Sequence, residues 1–375
     1  MIDPESMAQL REELRERMVE DRKLLEELRT EVRSGLGDAR RIMPRHTTAV
    51  SLVGTDGGNN RIEFDPFMAQ LIRVVDSSNN EYCLEVVTPT TDLTKLSKRH
   101  LEDGTAKTPL GKMMKFLGVN FLWELSPMIK KPPATPAPSW VQVYRELTEW
   151  AVLFSLVREK DYGTDTVIVW DGLLRSKVFA TILFAELRKG VEEALRVHKA
   201  RRRNIYVVGV AKHSKVLQRY RLAMMLEGAM RCEYPCYADV SRELEQNAYV
   251  WSEYARGGEV ETGEVNKFVA GKMFFVKFGG RPRDPIWPVD LLESQLSDAQ
   301  IIFGSLLADA IEGFPVPFYP RCLQRAHENA ALVDFDMDIL QQGIVNSIRE
   351  SLGENAPVLD ELALIDADPA GKRYG

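Results

Sequence analysis

Three reactive side chains stand where apolar, β-type runs give out. Asp56 follows Ala49-Val-Ser-Leu-Val-Gly-Thr, Asp171 follows Val167-Ile-Val-Trp, and Lys212 follows Ile205-Tyr-Val-Val-Gly-Val-Ala. Charge at the end of a buried strand is costly unless a partner or a metal compensates it, so three such strands imply one shared polar site. Two carboxylates at about 4 Å repel by roughly 4 kcal/mol at an effective dielectric near 20, and both stay ionised only with a cation between them. Oxygen ligands select hard ions, Mg²⁺ or Mn²⁺.

The elements that must position these groups follow from periodicity. Period-two patterning over 47–55, 61–76 and 81–87 predicts an antiparallel three-strand meander, with Asp65-Pro66 as a break inside the second run and Asp76-Ser-Ser-Asn-Asn80 as the last turn. After the Pro-rich stretch 130–139, a helix from Trp140 to about Lys160 leads into a strand at 166–171, a helix at 173–200, a strand at 205–212 and a helix at 214–230. Strands alternating with amphipathic helices pair in parallel beneath the helices. A meander followed by α-β-α-β-α is the element order of an RNase H-like α/β fold, a mixed sheet flanked by helices, and it makes Asp56 and Asp171 neighbours. Further along, 272–278 reads as a strand, 294–310 as a helix, and Gly313-Phe-Pro-Val-Pro-Phe-Tyr-Pro320 as a rigid connector into a helix from Arg321 that carries His327.

A third acid is expected from the helix just before Asp171. Glu146 and Glu149 share a face, and Glu149 is preferred because the apolar run 151–156 follows it. Lys212 suits a scissile phosphate, whereas strand alternation turns His213 the other way. His327, among Ala326, Ala330 and Ala331, would on its own read as a structural histidine.

Residues 3 to about 34 read as one long helix capped by Asp3, with Leu14, Met18, Leu25, Leu28 and Val32 in a heptad-like stripe that Asp21 interrupts. So narrow a stripe needs another surface, and dimerisation is the expected use, with packing on the chain's own body as the alternative. At 375 residues and 45% hydrophobic composition the chain buries a large core. No apolar run is long enough for a membrane span, and the first residues are charged, so a cytoplasmic protein is expected. Four scattered cysteines, Cys83, Cys232, Cys236 and Cys322, do not make a disulfide framework, and Cys232 with Cys236 lacks the second pair a zinc site needs.

A net charge of −6 argues against a protein that coats nucleic acid, although the basic run 196–203 offers either a DNA contact or a solvated helix end. Gly104–Met113 is not a phosphate loop, since Met113 stands where Ser or Thr must bind Mg²⁺, and the stretch is expected to be loop. Neither a His-Glu-x-x-His, a Gly-x-Ser-x-Gly nor a dinucleotide fingerprint is present.

Four motifs in order, Gly54-Thr-Asp-Gly-Gly58, Val169-Trp-Asp-Gly-Leu-Leu174, Gly209-Val-Ala-Lys-His-Ser214 and Gly313–Pro320 leading into Ala326-His327, resemble the NurA nucleases. The resemblance covers about residues 46–335. It implies an RNase H-like fold, Mn²⁺-dependent (or Mg²⁺-dependent) hydrolysis of DNA, a homodimer, and partnership with a HerA-type hexameric ATPase in DNA end processing or anti-phage defence. Matched residue by residue, it gives Asp56 and Asp171 as metal ligands, Lys212 as the lysine and His327 as the histidine, while Glu149 has no unambiguous match. The expected organisation is an N-terminal helix over 1–45, a nuclease domain over 46–345 with insertions near 89–139 and 231–270, and a tail over 346–375. The alternative is a catalytically inactive dimeric scaffold for a HerA-type ATPase; charge kept at three strand ends speaks against it.

Overall fold

The computed structural model describes residues 3–45, 50–64, 67–134, 139–249, 268–331 and 334–357. The single N-terminal helix expected from the stripe is two helices, α1 (Pro4–Glu20) and α2 (Arg22–Gly35), and the interruption falls at Asp21. Asp3 caps α1, accepting from the Glu5 and Ser6 N–H groups at 3.0 and 3.1 Å. The two halves differ in what they face: Val32 of α2 is buried, whereas Leu10, Leu14 and Met18 of α1 are exposed.

Arg29 and Arg33 both clasp Glu227, with N···O distances of 2.5 to 2.8 Å. Hydrogen bonds from Arg33 and then Arg29 hold the Glu227 carboxyl down at about 2, below its ordinary 4.5. A depressed carboxyl stabilises the fold above its unfolded pKa, and that contribution fades as pH falls from about 4.5 towards 2. Glu227→Gln should therefore speed hydrogen exchange in α2 at pH 7 and change little near pH 2. Equal α2 protection in both proteins at pH 7 would remove this anchor.

β1 (Arg40–Arg41) precedes the meander of β2 (Val50–Phe64), β3 (Phe67–Asp76) and β4 (Glu81–Val87). β2 ends at Phe64 and β3 begins at Phe67, so the run expected over 61–76 is divided between two strands, and the expected break at Asp65-Pro66 lies outside the described residues. Pairing runs from Thr55↔Asp76 to Phe64↔Phe67, so Asp56 lies inside a strand and not at its end.

The stretch 89–139, expected as an insertion, carries several regular elements. It builds α3 (Leu93–His100), the hairpin β5 (Leu101–Glu102) and β6 (Thr105–Ala106), α4 (Pro109–Leu117) and α5 (Leu122–Leu125) ahead of α6 (Trp140–Glu159). Where a loop was expected at 104–113, Thr108 caps α4 by accepting from the Gly111 N–H at 3.1 Å, and Gly118 ends it in the left-handed region at φ 70°. Leu110, Met113 and Met114 of α4 join Leu96, Leu122 and Trp140 in one core. His100 is satisfied on both ring nitrogens, by Thr108 Oγ1 and Tyr144 Oη at 2.8 Å each.

The second half runs β7 (Asp165–Asp171), α7 (Leu183–Ala200), β8 (Ile205–Val210), α8 (Lys215–Leu226), β9 (Cys236–Asp239), α9 (Arg242–Ala248), β10 (Gly271–Lys277), β11 (Ile286–Leu292), α10 (Ala299–Ile311), α11 (Arg321–Ala330) and α12 (Asp334–Leu352). The helix expected from 173 begins only at Leu183, β8 stops at Val210, and a 3₁₀ turn fills Glu293–Asp298 before α10. Within 231–270, β9 pairs with β10 and with β1, so that part of the stretch lies in the main sheet; residues 250–267 are outside the described set. α12 crosses the expected boundary at 345, and residues 358–375 of the expected tail are again outside the described set.

Among the described residues the main sheet has nine strands in the order β1-β9-β10-β11-β8-β7-β2-β3-β4. β2, β7 and β8 are parallel and the other pairings antiparallel, a mixed sheet of the expected α/β class. Alternation along β7 sends Ile168 and Trp170 into the core under α6 and α7, and Val167 and Val169 into the core under α10 and α11. No helix among the described residues is long and apolar enough to cross a membrane.

Candidate metal centre

β7 ends at Asp171 while β2 runs on, which leaves a notch in the sheet beyond β7. The parallel register sets Thr55 beside Trp170, so the next residues, Asp56 and Asp171, lie side by side on the face that carries α11. A carboxylate oxygen from each and a ring nitrogen of His327 all lie within 4.8 Å of one another.

The backbone explains how a helix comes so close. A Cβ added at Gly54 would stand 2.4 Å from the Cys322 carbonyl oxygen, and one at Gly58 would stand 2.4 Å from that of Ala330. Both glycines share the face of Asp56, and together they let α11 lie directly on the backbone of β2. At Gly57, on the opposite face, a Cβ would meet Glu149 Oε1 at 2.1 Å. The Gly-Thr-Asp-Gly-Gly motif is therefore a packing motif around one acid.

His327 Nδ1 lies 2.7 Å from Asp56 Oδ2, and Asp56 Oδ1 accepts from the Gly57 N–H at 2.7 Å. Asp171 Oδ1 accepts from the Tyr319 hydroxyl at 2.9 Å, and Oδ2 accepts from Lys212 Nζ at 2.9 Å. Lys212 sits beyond the end of β8, where the chain has already left the sheet. Burial and then the Asp56 charge push the Asp171 carboxyl up, and Lys212 and Tyr319 partly oppose that. His213 is exposed.

Glu149 approaches from the other side of the notch. With Thr55, Asp56, Val74, Trp170 and Asp171 it lines one small pocket, but its carboxylate is outside the three-residue cluster. Glu146 takes a different partner, accepting from Ser176 Oγ. Burial raises the Glu149 carboxyl to about 8, and the Asp56, Glu146 and Asp171 charges add to the effect while Arg145 opposes it. A carboxyl raised on folding favours the fold below its unfolded pKa, and that contribution is lost as pH climbs through about 8. Glu149→Gln should thus stabilise the metal-free protein at pH 9 by on the order of 2 kcal/mol, and by much less at pH 5. Equal melting temperatures of the two proteins at pH 9 would contradict this.

Tyr319 was not singled out as a site residue from the sequence. Its only signal is a hydroxyl-bearing aromatic held between prolines in the 313–320 connector, where an aromatic reads as packing. The basic run 196–203 does not face the site: Arg201, Arg202 and Arg203 lead into the first residue of β8, while Lys212 lies past its last.

No family model matches the sequence, and neither does any curated protein. Solved structures similar to this chain include the NurA nuclease from Sulfolobus solfataricus, with 12% identity and a TM-score of 0.48 over 94% of this chain and 99% of that one. NurA bound to dAMP and manganese is similar at 10% identity and a TM-score of 0.35, covering 88% of this chain and 94% of that one. NurA with manganese gives 10% identity and a TM-score of 0.34, covering 88% and 97%.

Proposed function

We propose that the chain is a divalent-metal-dependent nuclease of the NurA kind that hydrolyses phosphodiester bonds of DNA on an RNase H-like core. The observation that carries this reading is the meeting of Asp56, Asp171 and His327 ligand atoms within 4.8 Å, just past the end of β7. Two half-buried carboxylates and one imidazole nitrogen are an oxygen-rich donor set that fits Mn²⁺ or Mg²⁺. Asp56 and Asp171 would hold the ion, with His327 completing the set and Glu149 bordering it. A cation there supplies Lewis acidity towards phosphoryl oxygens and makes water more acidic near neutral pH.

The chain's own residues account for the remainder. Tyr319 fixes one oxygen of Asp171, so the other is presented in a set direction. Lys212, with its side chain 39% exposed, places a positive charge beside Asp171 where a scissile phosphate would lie. His327 is 64% exposed, and with Nδ1 engaged by Asp56 its Nε2 is the atom left for one of two roles, completing the ion's donor set or exchanging a proton with solvent or the leaving oxygen.

A HerA-type hexameric ATPase as partner, a homodimer, and work in DNA end processing or anti-phage defence belong to the same proposal. The α1 stripe of Leu10, Leu14 and Met18 is the surface we assign to a second copy. End-labelled DNA, incubated with the purified chain and Mn²⁺, with and without a HerA-type ATPase and ATP, tests the activity. Cleavage that chelation abolishes is the expected result. Absence of both Mn²⁺ binding and cleavage under every condition would leave the inactive scaffold.

A further inference from the structure

Behind the notch lies a buried charge network that the proposed chemistry does not use. Arg175 Nε and Nη2 donate to the two oxygens of Asp290 at 2.9 and 2.8 Å, and Nη1 donates to Glu245 Oε2 at 2.8 Å. The Arg175 side chain is 4% exposed and both carboxylates are fully buried. Such networks are a poor source of stability, since apolar replacements of similar volume often do as well or better. What a forked guanidinium does supply is direction, because two parallel bonds to one carboxylate fix its orientation as well as its distance.

The elements joined are those that carry the site. Arg175 belongs to the segment that follows Asp171. Asp290 lies on β11 opposite Gly209 of β8, the strand that leads to Lys212. A Cβ at Gly209 would come 2.5 Å from the Gly172 carbonyl oxygen, so the two segments are in backbone contact. Glu245 is on α9, and Tyr249, the residue that caps the C-terminal end of α9, lies beside Ser214, two residues after Lys212. The next residue, Ser176, donates through Oγ to Glu146, one helical turn from Glu149 on α6.

We propose that Arg175, with Ser176, is a positioning residue that holds the segments bearing Asp171 and Lys212 and the helix bearing Glu149 in one fixed arrangement. The inference rests on the nuclease reading for its functional consequence, but the mechanical coupling stands apart from it. Arg175→Lys keeps the charge and loses the fork. Peptides covering 171–176 and 211–215 should then exchange hydrogen faster together, while α10 keeps its protection. The Mn²⁺ dissociation constant should rise about tenfold, and kcat should fall at least about tenfold with KM within about twofold. A folded Arg175→Lys protein with wild-type exchange in either segment and wild-type Mn²⁺ affinity would overturn the proposal.

Ser176→Ala, which removes only the link to α6, keeps the test decisive if Arg175→Lys fails to fold. Faster exchange around 174–178 and in the middle of α6 is expected, and wild-type exchange there would refute the coupling. Asp56→Ala run alongside separates the two ideas. Retained Mn²⁺ binding and cleavage in that variant would sink the site reading, whereas the exchange measurements on Arg175 and Ser176 do not depend on it.

Discussion

Asp171→Asn should lower Mn²⁺-dependent DNA cleavage by at least about a thousandfold while leaving the protein folded. The substitution keeps the shape of the side chain and its contacts with Tyr319, but it removes the charge that would face a cation. In the metal-free protein that charge is a burden, since burial and Asp56 both push the Asp171 carboxyl up. The variant should therefore melt at or above the wild-type temperature without metal. Wild-type protein at a Mn²⁺ concentration of about 100 times its Kd should gain about 2.7 kcal/mol, and the variant should gain little. Thermal melts with and without Mn²⁺, paired with a cleavage assay, check both halves. Wild-type cleavage by the variant would end the assignment of Asp171; an unfolded variant would contradict the stability argument.

Gly54→Val is the second large effect, and it is mechanical. The added Cβ would meet the Cys322 carbonyl oxygen at 2.4 Å, a backbone atom that cannot swing aside. α11 must lift from β2, at a cost of about 3 kcal/mol, and Tyr319 and His327 move with it. A lower melting temperature and weakened Mn²⁺ binding are expected together. Gly163→Ala serves as the control, because a Cβ there meets nothing within 4 Å. If Gly54→Val binds Mn²⁺ like the wild type, the close packing of α11 is not what places His327.

The adjacency of Asp56 and Asp171 was legible because strand runs and element order constrain which strands pair and in which direction. Their roles rest on the proposal above. The rest was hidden where local pattern and long-range pairing disagree. β2 and β3 pair antiparallel as far as Phe64↔Phe67, yet the apolar residues on either side of Asp65-Pro66 read as one broken strand. Pro288 argues against the strand β11 that contains it, and β9 is too short to show a period. Gly57 gives the position of Glu149 a rationale only once α6 is known to cross that face. Tyr319 shows nothing in sequence that separates an oriented hydroxyl from a packed ring.

Asp56 and His327, whose side chains meet in the notch, are 271 residues apart along the chain. A ribosome-bound fragment that stops before α11 has the acids and the lysine but lacks the helix that brings His327 and sets Tyr319. Closing so long a loop is a late event in folding, and it depends on α11, which is made after every described strand of the main sheet. Assembly of the site is thereby tied to completion of nearly the whole fold, and partly synthesised or truncated chains ending before Arg321 should be hydrolytically silent.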